Sequence, residues 1–436
     1  MKERIRDAAS GGAGDLLPAV SREGMATRWT REGGGDEELR AKVSTILNRV
    51  QENGLPALEE LAAEFDGWDG KRSLFLTRAD CDAVLDELDP ETRELLTRTA
   101  ERIRTFCEKQ RSCLRDLETP IPGGRAGHVW KPVERAGCYV PGGRYPLASS
   151  MLMTVIPARV AGVREIVAAT PGDSPVVLAA AAIAGADLVL RAGGAQAVAA
   201  LAFGAGTLAP CDVITGPGNG WVTEAKRQIA GTTRIDGLAG PSELLLVADE
   251  TANPEWAAAD LLAQAEHDPE ARIALVTATL ETRDRVTAAV ARQLRSFPEE
   301  IRRIMIAALA GGSSFVTADE SERIAICDEL AAEHLQLSIA APESFLGKLA
   351  HYGTAFLGED APTALGDYGA GPNHTLPTGR AARKKGGLSV LDYLRCVTWM
   401  RIETDGEGGD CRSAESFAKL EGLAGHARSL ALRLDA

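Results

Sequence analysis

Gln264 and His267 stand three residues apart just before Pro269, a spacing that puts an amide oxygen and an imidazole on one face of a helix. Asn253 is a capping residue type, Pro254 suits the first helical position, 257–265 is rich in helix formers and Pro269 forbids continuation. The spacing therefore predicts a helix from about Asn253 that ends at this pair. At a helix end the two side chains can converge on one ion or ligand, although a solvated or capping histidine fits the same pattern. Further along, Glu333 and His334 are adjacent at a helix-to-strand junction, and Asp367 and His374 share the Gly- and Pro-rich stretch 366–385. An imidazole, an amide oxygen and a carboxylate are ordinary zinc ligands, and a Glu beside a His supplies two bases of different strength. Histidine is scarce, at positions 128, 267, 334, 351, 374 and 426 only. His128 and His351 lack polar company and read as surface or packing residues. His426, at the end of 421–426, fits a helix-terminal cap equally well, and spacing alone does not unite it with His267.

The elements that must position these side chains read as α/β. Residues 1 to about 120 read as helical. From Ala136 short apolar runs at 138–140, 164–169, 187–190 and 212–214 alternate with helical stretches at 150–161, 175–184, 195–203 and 219–229, the pattern of a doubly wound parallel sheet. A second series places strands at 244–247, 273–276, 314–316, 335–339 and 354–357, with helices near 254–266, 281–310, 320–331 and 342–351. The stretch 366–385 is a long loop, of a length that is usually functional or disordered. Two short helices near 388–402 and 414–434 close the chain, with a Gly-rich linker at 406–409.

In the first series Gly-rich turns follow the strands directly: Pro141-Gly142-Gly143, Gly193-Gly194-Ala195-Gln196 and Gly216-Pro217-Gly218-Asn219. Ligands of such sheets bind outside the carboxyl ends of the strands, where a Gly-rich turn lets backbone amides approach a phosphate. Three such turns in succession favour a nucleotide site. The standard dinucleotide fingerprint is nearly absent, its approximate match at 204–209 following a helix, and no phosphate-binding G-x-x-x-x-G-K-[ST] loop occurs.

At 436 residues the length suits about three domains. The net charge of -14 argues against nucleic acid and anionic membrane surfaces and leaves a small molecule as the expected partner. Residues 1–20 lack the apolar core of a signal peptide, and the longest apolar run, 176–190, is too short for a bilayer and broken by Gly185 and Asp187. Eight scattered cysteines without a C-x-x-C point to neither a disulfide framework nor a thiolate zinc site, and a cytoplasmic protein is expected.

The motifs GCYVPGG, GGAQAVAALAFG, GPGN, IDGLAGPSE, DETANPEWAAADLLAQAEHDP, EHLQL, GDYGAGPNHTLPT and EGLAGH occur in that order, and with them the chain resembles the histidinol dehydrogenase family from about residue 40 to 432. The resemblance implies a zinc-containing, NAD-dependent homodimer that oxidises L-histidinol to L-histidine through an aldehyde, the last step of histidine biosynthesis. It implies two doubly wound, incomplete Rossmann-like domains with a helical N-terminal part and a small helical C-terminal appendage. The implied division is an arm at 1–35, a substrate and zinc domain at 36–138 with 243–388, an NAD domain at 139–242, and a dimerisation domain at 389–436. Zinc would be held by Gln264, His267 and Asp367 of one subunit and the partner subunit's His426. His334 would take the hydroxyl proton and Glu333 would activate the water. Ser242, His374 and the partner subunit's Glu421 would contact substrate, with Tyr139, Gln196 and Asn219 lining the NAD site. Departures from the family pattern are Arg144-Tyr145, Trp221 and the short 171–175 connection. Arg144 bears on an alternative, a paralogue acting on another polar alcohol such as a sulfonated diol, since a cation near the mouth suits an anionic substrate; a surface or cofactor-phosphate contact also explains it.

Overall fold

Six strands of the first sheet run in the order β1 (Phe75–Thr77), β6 (Leu188–Leu190), β5 (Glu165–Ala169), β4 (Arg135–Tyr139), β7 (Val213–Thr215) and β8 (Arg234–Ile235). All neighbours are parallel except β1, which pairs antiparallel with β6 at the edge. The structure, a computed structural model, describes residues 16–29, 37–142, 146–402 and 409–434. Gly143 of the first Gly-rich turn, Arg144, Tyr145 and residues 406–408 of the expected linker lie outside the described residues, as do 1–15 and 30–35 of the arm.

Ala148–Ala161, Pro175–Ala184 and Gly194–Phe203, which connect these strands, are largely apolar, as burial on the sheet requires, whereas Gly220–Ile229 buries one face through Val222, Ala225, Lys226 and Ile229. Ala148–Ala161 and Pro175–Ala184 cover one face together with Pro90–Ser112, and Gly194–Phe203 and Gly220–Ile229 cover the other with Glu37–Asn53 and Leu55–Phe65. The first sheet thus draws strands and covering helices from both sides of position 139.

The second sheet is parallel throughout, in the order β11 (Ser313–Val316), β10 (Arg272–Thr277), β9 (Glu243–Ala248), β12 (His334–Ser338) and β13 (Thr354–Leu357). Every residue of β9 and β12 is buried, which suits strands with helices on both faces. Pro254–Ala265, Leu280–Gln293 and Glu299–Gly311 pack on one side, and Glu320–Leu330 on the other beside Met25 and Trp29 of the N-terminal segment. The single helix expected over 281–310 is two, because Pro298 cannot continue the first.

One expectation fails outright. Residues 388–402 are not a helix: a short 3-10 turn at Val390–Tyr393 leads into β14 (Leu394–Ile402), antiparallel to β3 (Gly124–Pro132), which also pairs with β2 (Leu117–Ile121). Val397, Thr398, Trp399 and Ile402 are residue types that favour strands, and a long partner was within reach in the fold. The C-terminal helix expected at 414–434 is a hairpin of Gly409–Leu420 and Ala424–Leu434, turned at Gly422, whose φ of 76° favours glycine. All eight cysteines are free thiols, and no described helix is long and apolar enough to cross a membrane.

Tyr393 locks β14's leading turn to the first sheet. It is fully buried, its hydroxyl donates to Thr154 O at 2.7 Å and lies 2.8 Å from Thr215 Oγ1. Tyr393→Phe removes both buried hydrogen bonds of the hydroxyl, so the urea midpoint should fall by the equivalent of about 1–3 kcal/mol, with the far-UV circular dichroism unchanged.

Candidate active site

The register of β9 and β12 sets Leu244 beside His334, which brings Glu243 and Glu333 together at the amino ends of the two strands. Glu333 Oε2 accepts from the Glu243 backbone N–H at 2.7 Å, and Glu243 Oε2 accepts in return from the Glu333 N–H at 3.3 Å. His334 Nδ1 lies 2.9 Å from the Glu243 carbonyl, which can only accept. Nδ1 therefore carries a proton, and Nε2 is the nitrogen that can take one. The ring stacks on Phe356 with centroids 5.9 Å apart. Glu243 Oε1 also accepts from Arg272 Nη1 at 3.0 Å and from Gly379 N at 2.9 Å.

Charge follows from this packing. Burial lifts the Glu243 carboxyl to about 7, the neighbouring Glu333 charge adding to it against donation from Gly379. Burial alone would push His334 below its ordinary value, but the Glu333 carboxylate at 3.6 Å, the Asp367 charge and the Glu243 carbonyl outweigh it and lift the ring to about 9.

His334 and His374 face one cavity of about 220 Å³, with Phe356, Thr354 and Asn373 among its lining. His374 Nδ1 sits 3.1 Å from the Asp367 carbonyl and 3.9 Å from Asp367 Oδ1, and its Nε2 lies 3.4 Å from Ser150 Oγ. Burial holds this ring below its ordinary value. Asn373 Nδ2 donates to Met153 O at 2.6 Å, docking the 366–385 loop on Ala148–Ala161. Asp367 itself ends a short helix, Thr363–Asp367, that packs on Pro254–Ala265.

Gln264 is in the last turn of Pro254–Ala265 and is 3% exposed, yet its amide nitrogen is sealed from solvent with no hydrogen-bond partner. Since the two ends of a glutamine amide are interchangeable in assignment, one polar end of Gln264 is free to meet a ligand. His267 follows, exposed, with its backbone N–H on Gln264 O at 3.4 Å. Glu266 and Asp367 both act on the Tyr368 phenol, which burial raises first, so this helix end and the loop adjoin. Among the described residues no cluster of three or more His, Cys, Asp or Glu could hold a metal by itself. Glu421 and His426 are not brought to the site within one chain: both are exposed on the C-terminal hairpin. Ser242 lies half-buried one residue before Glu243.

The second group occupies the opposite edge of the other sheet, the carboxyl ends of β4, β6 and β7. Tyr139 ends β4, its hydroxyl accepts from Gly194 N at 3.1 Å, and burial raises the phenol to about 12. Gln196 Nε2 donates to Asp66 Oδ2 at 3.0 Å, and Gly193 N donates to Asp66 Oδ1 at 3.2 Å. Asp66, whose carboxyl burial raises, thus holds the turn that carries Gln196. Asn219 is exposed and caps Gly220–Ile229, its Oδ1 accepting from Trp221 N and Val222 N. The two edges meet where His374 reaches Ser150 and where Gly240 N donates to Thr378 Oγ1 at 2.6 Å.

Asp66, Ser150, Glu243 and Arg272 went unnoticed in the sequence reading. For Glu243 a signal existed, a carboxylate beside Ser242 opening an otherwise apolar strand; Asp66 and Ser150 carry none, being brought in from over a hundred residues away.

The family model for histidinol dehydrogenase matches residues 30–434. The histidinol dehydrogenase of Zymomonas mobilis subsp. mobilis is 41% identical over 413 residues, covering 93% of this chain and 94% of that protein. That of Aromatoleum aromaticum is 43% identical over 410 residues, covering 92% and 93%. The crystal structure of histidinol dehydrogenase from Elizabethkingia anophelis shares the fold at a TM-score of 0.89 and 31% identity, covering 97% of this chain and 98% of that one. With near-complete coverage by sequence and by structure, the chain belongs to the histidinol dehydrogenase family.

Proposed function

We propose that this chain, an oxidoreductase by family, oxidises L-histidinol to L-histidine through histidinaldehyde, with NAD as hydride acceptor and zinc as organiser, in a homodimer whose active site is shared. The observation that carries the reading is the buried Glu333–His334 pair, of which His334 lines a cavity together with His374. Two oxidations need two proton acceptors, one for each hydroxyl and one for the added water, and two bases of unequal strength stand side by side here.

In the first oxidation His334 Nε2 takes the hydroxyl proton of the alcohol as hydride leaves its carbon, which yields the aldehyde. In the second, Glu333 takes a proton from the water that adds to the aldehyde carbon while His334 returns its proton to the carbonyl oxygen, which forms the diol and frees His334 Nε2 again. His334 then takes a diol hydroxyl proton as the second hydride leaves, and the product is the carboxylate. Ser242, His374 and the partner subunit's Glu421 hold the substrate against this pair.

NAD supplies the acceptor for both hydrides, lined by Tyr139, Gln196 and Asn219. The carboxyl edge of the first sheet suits a dinucleotide through its Gly-rich strand-to-helix turns, which Gly142 and Gly216 let run tight against Pro171 and the Tyr139 carbonyl, where a side chain would clash. Gln264, His267, Asp367 and the partner subunit's His426 would hold zinc, which would supply a Lewis-acidic anchor for orienting the substrate. The donor set fits: an orphaned buried amide, an exposed imidazole and a half-buried carboxylate at adjoining helix ends, one ligand short within the chain. A dimer suits the hairpin, whose Phe417 and Leu420 are 60% and 80% exposed. In this reading 139–242 serves NAD, 36–138 with 243–388 serves substrate and zinc, 389–436 makes the dimer, and 1–35 is an arm. The alternative, a paralogue for a sulfonated diol or similar alcohol, is not favoured by the relatives' names.

Glu333→Gln keeps the shape of the side chain and removes its charge. The second oxidation should slow by about 10²-fold or more relative to the first, seen as accumulated aldehyde trapped by a carbonyl reagent. The same change removes the carboxylate that lifts His334, so the midpoint of the rising pH limb of the first oxidation, expected near the ring's value of about 9 in the unaltered protein, should move to lower pH. A limb that stays in place would contradict the assignment of His334 as the base that Glu333 tunes.

His267→Ala and His426→Ala proteins, each inactive alone, should regain up to about one quarter of full activity when mixed and allowed to exchange, because one site in each heterodimer is whole. No recovery despite demonstrated exchange would contradict the shared site.

A further inference from the structure

Lys226 and Asp236 form an ion pair buried to 2% and 6% side-chain exposure, and nothing in the chemistry above uses either. Taking two charges out of water is costly, and apolar replacements often serve stability as well or better. The pair's remaining hydrogen bonds show what it holds. Asp236 Oδ2 accepts from Gly216 N at 2.8 Å, and Lys226 Nζ donates to Gly216 O at 2.9 Å. Both backbone groups of one residue are thereby fixed, and that residue opens the Gly216-Pro217-Gly218-Asn219 turn.

Gly216 has φ 113°, a value that disfavours any side chain, and an added Cβ would lie 2.0 Å from the Tyr139 carbonyl. Its position between β4 and β7 is where strand order reverses in the first sheet, since β5 and β6 lie on one side of β4 and β7 and β8 on the other. With Gly216 anchored, the Gly218 and Asn219 amides have no hydrogen-bond partner among the described residues, ahead of the start of Gly220–Ile229. Lys385 reaches the same spot from the 366–385 loop: its Nζ donates to the Asp236 carbonyl and lies 3.2 Å from Asp392 Oδ1. The pair therefore sits where the expected cofactor turn and the loop bearing Asp367 and His374 are joined.

We propose that the buried Lys226–Asp236 pair is a positioning device that sets the Gly216–Asn219 turn for a nicotinamide dinucleotide. The inference rests on the NAD reading of that turn. Neither residue touches the ligand, and each acts through the Gly216 peptide groups.

The test is direct binding to the full-length protein. NAD is titrated while tryptophan fluorescence is followed, Trp221 being two residues past Asn219 and 37% exposed, and L-histidinol is titrated separately by calorimetry. Lys226→Met should weaken NAD by about tenfold or more and leave L-histidinol within about twofold, since misplacing a positioning group acts on the ligand it aligns. Lys226→Arg, which keeps the charge and a donor, should recover most of the NAD affinity. Should Lys226→Met not fold, Asp236→Asn, which keeps an acceptor for Gly216 N, should give the same selective loss in smaller degree. Unchanged NAD affinity with a lowered thermal midpoint, or equal loss for both ligands, overturns the proposal and leaves the cofactor reading standing. An unaltered protein that does not bind NAD overturns both.

Discussion

The candidate site depends on one reciprocal contact, the exchange of backbone N–H and carboxylate between Glu243 and Glu333 across neighbouring parallel strands. A ladder alone would fix the backbones of β9 and β12 but not the directions of the side chains at their ends. Here each carboxylate is spent on the other's main chain, and the Glu243 carbonyl then takes His334 Nδ1. The ring tautomer, its face against Phe356 and its open Nε2 all follow. Two buried carboxylates this close repel, and Arg272 and the Gly379 N–H on Glu243 Oε1 offset that repulsion. Because Gly379 belongs to the loop that also bears Asp367 and His374, the contact that orients Glu333 and His334 also anchors that loop.

Its second dependence is on the way the two sheets oppose each other. Tyr139, Gln196 and Asn219 sit at the carboxyl edge of the first sheet, whereas Ser242, Glu243 and His334 sit at the amino edge of the second. A dinucleotide at the first edge and an alcohol at the second would meet across the contacts of Ser150 with His374 and Gly240 with Thr378. Helical and loop segments make this crossing, and buried polar anchors replace a continuous sheet there. Rigidity at the junction therefore rests on individual hydrogen bonds, each of modest strength, instead of on a ladder.

Much of the fold was legible because both sheets are parallel and buried, so their strands read as short apolar runs between helices of clear period. The helix start at Pro254 and the strand at 354–357 could be read almost to the residue, because Asn253-Pro254 and Gly353 punctuate them. The misreading of 388–402 arose where the strand's partner, β3, lies over 260 residues back along the chain and its own surface is mostly exposed, so no buried face marked it. In the site, Glu333, His334, Asp367 and His374 could be singled out by type and company, and the structure groups them. The amino-edge placement was not readable, because the rule for parallel sheets points to carboxyl ends. Glu243 and Asp66 act through long-range hydrogen bonds that no local spacing encodes. Glu421 and His426 remain apart from the other site residues in one chain, and only the family resemblance links them to it.

Stoichiometry tests the central claim most directly. With L-histidinol limiting and NAD in excess, NADH formed and histidine produced are counted together. The account predicts two NADH for each histidine, with no free aldehyde at the end. One NADH per alcohol consumed with an aldehyde product, or no NADH from L-histidinol at all, would contradict it.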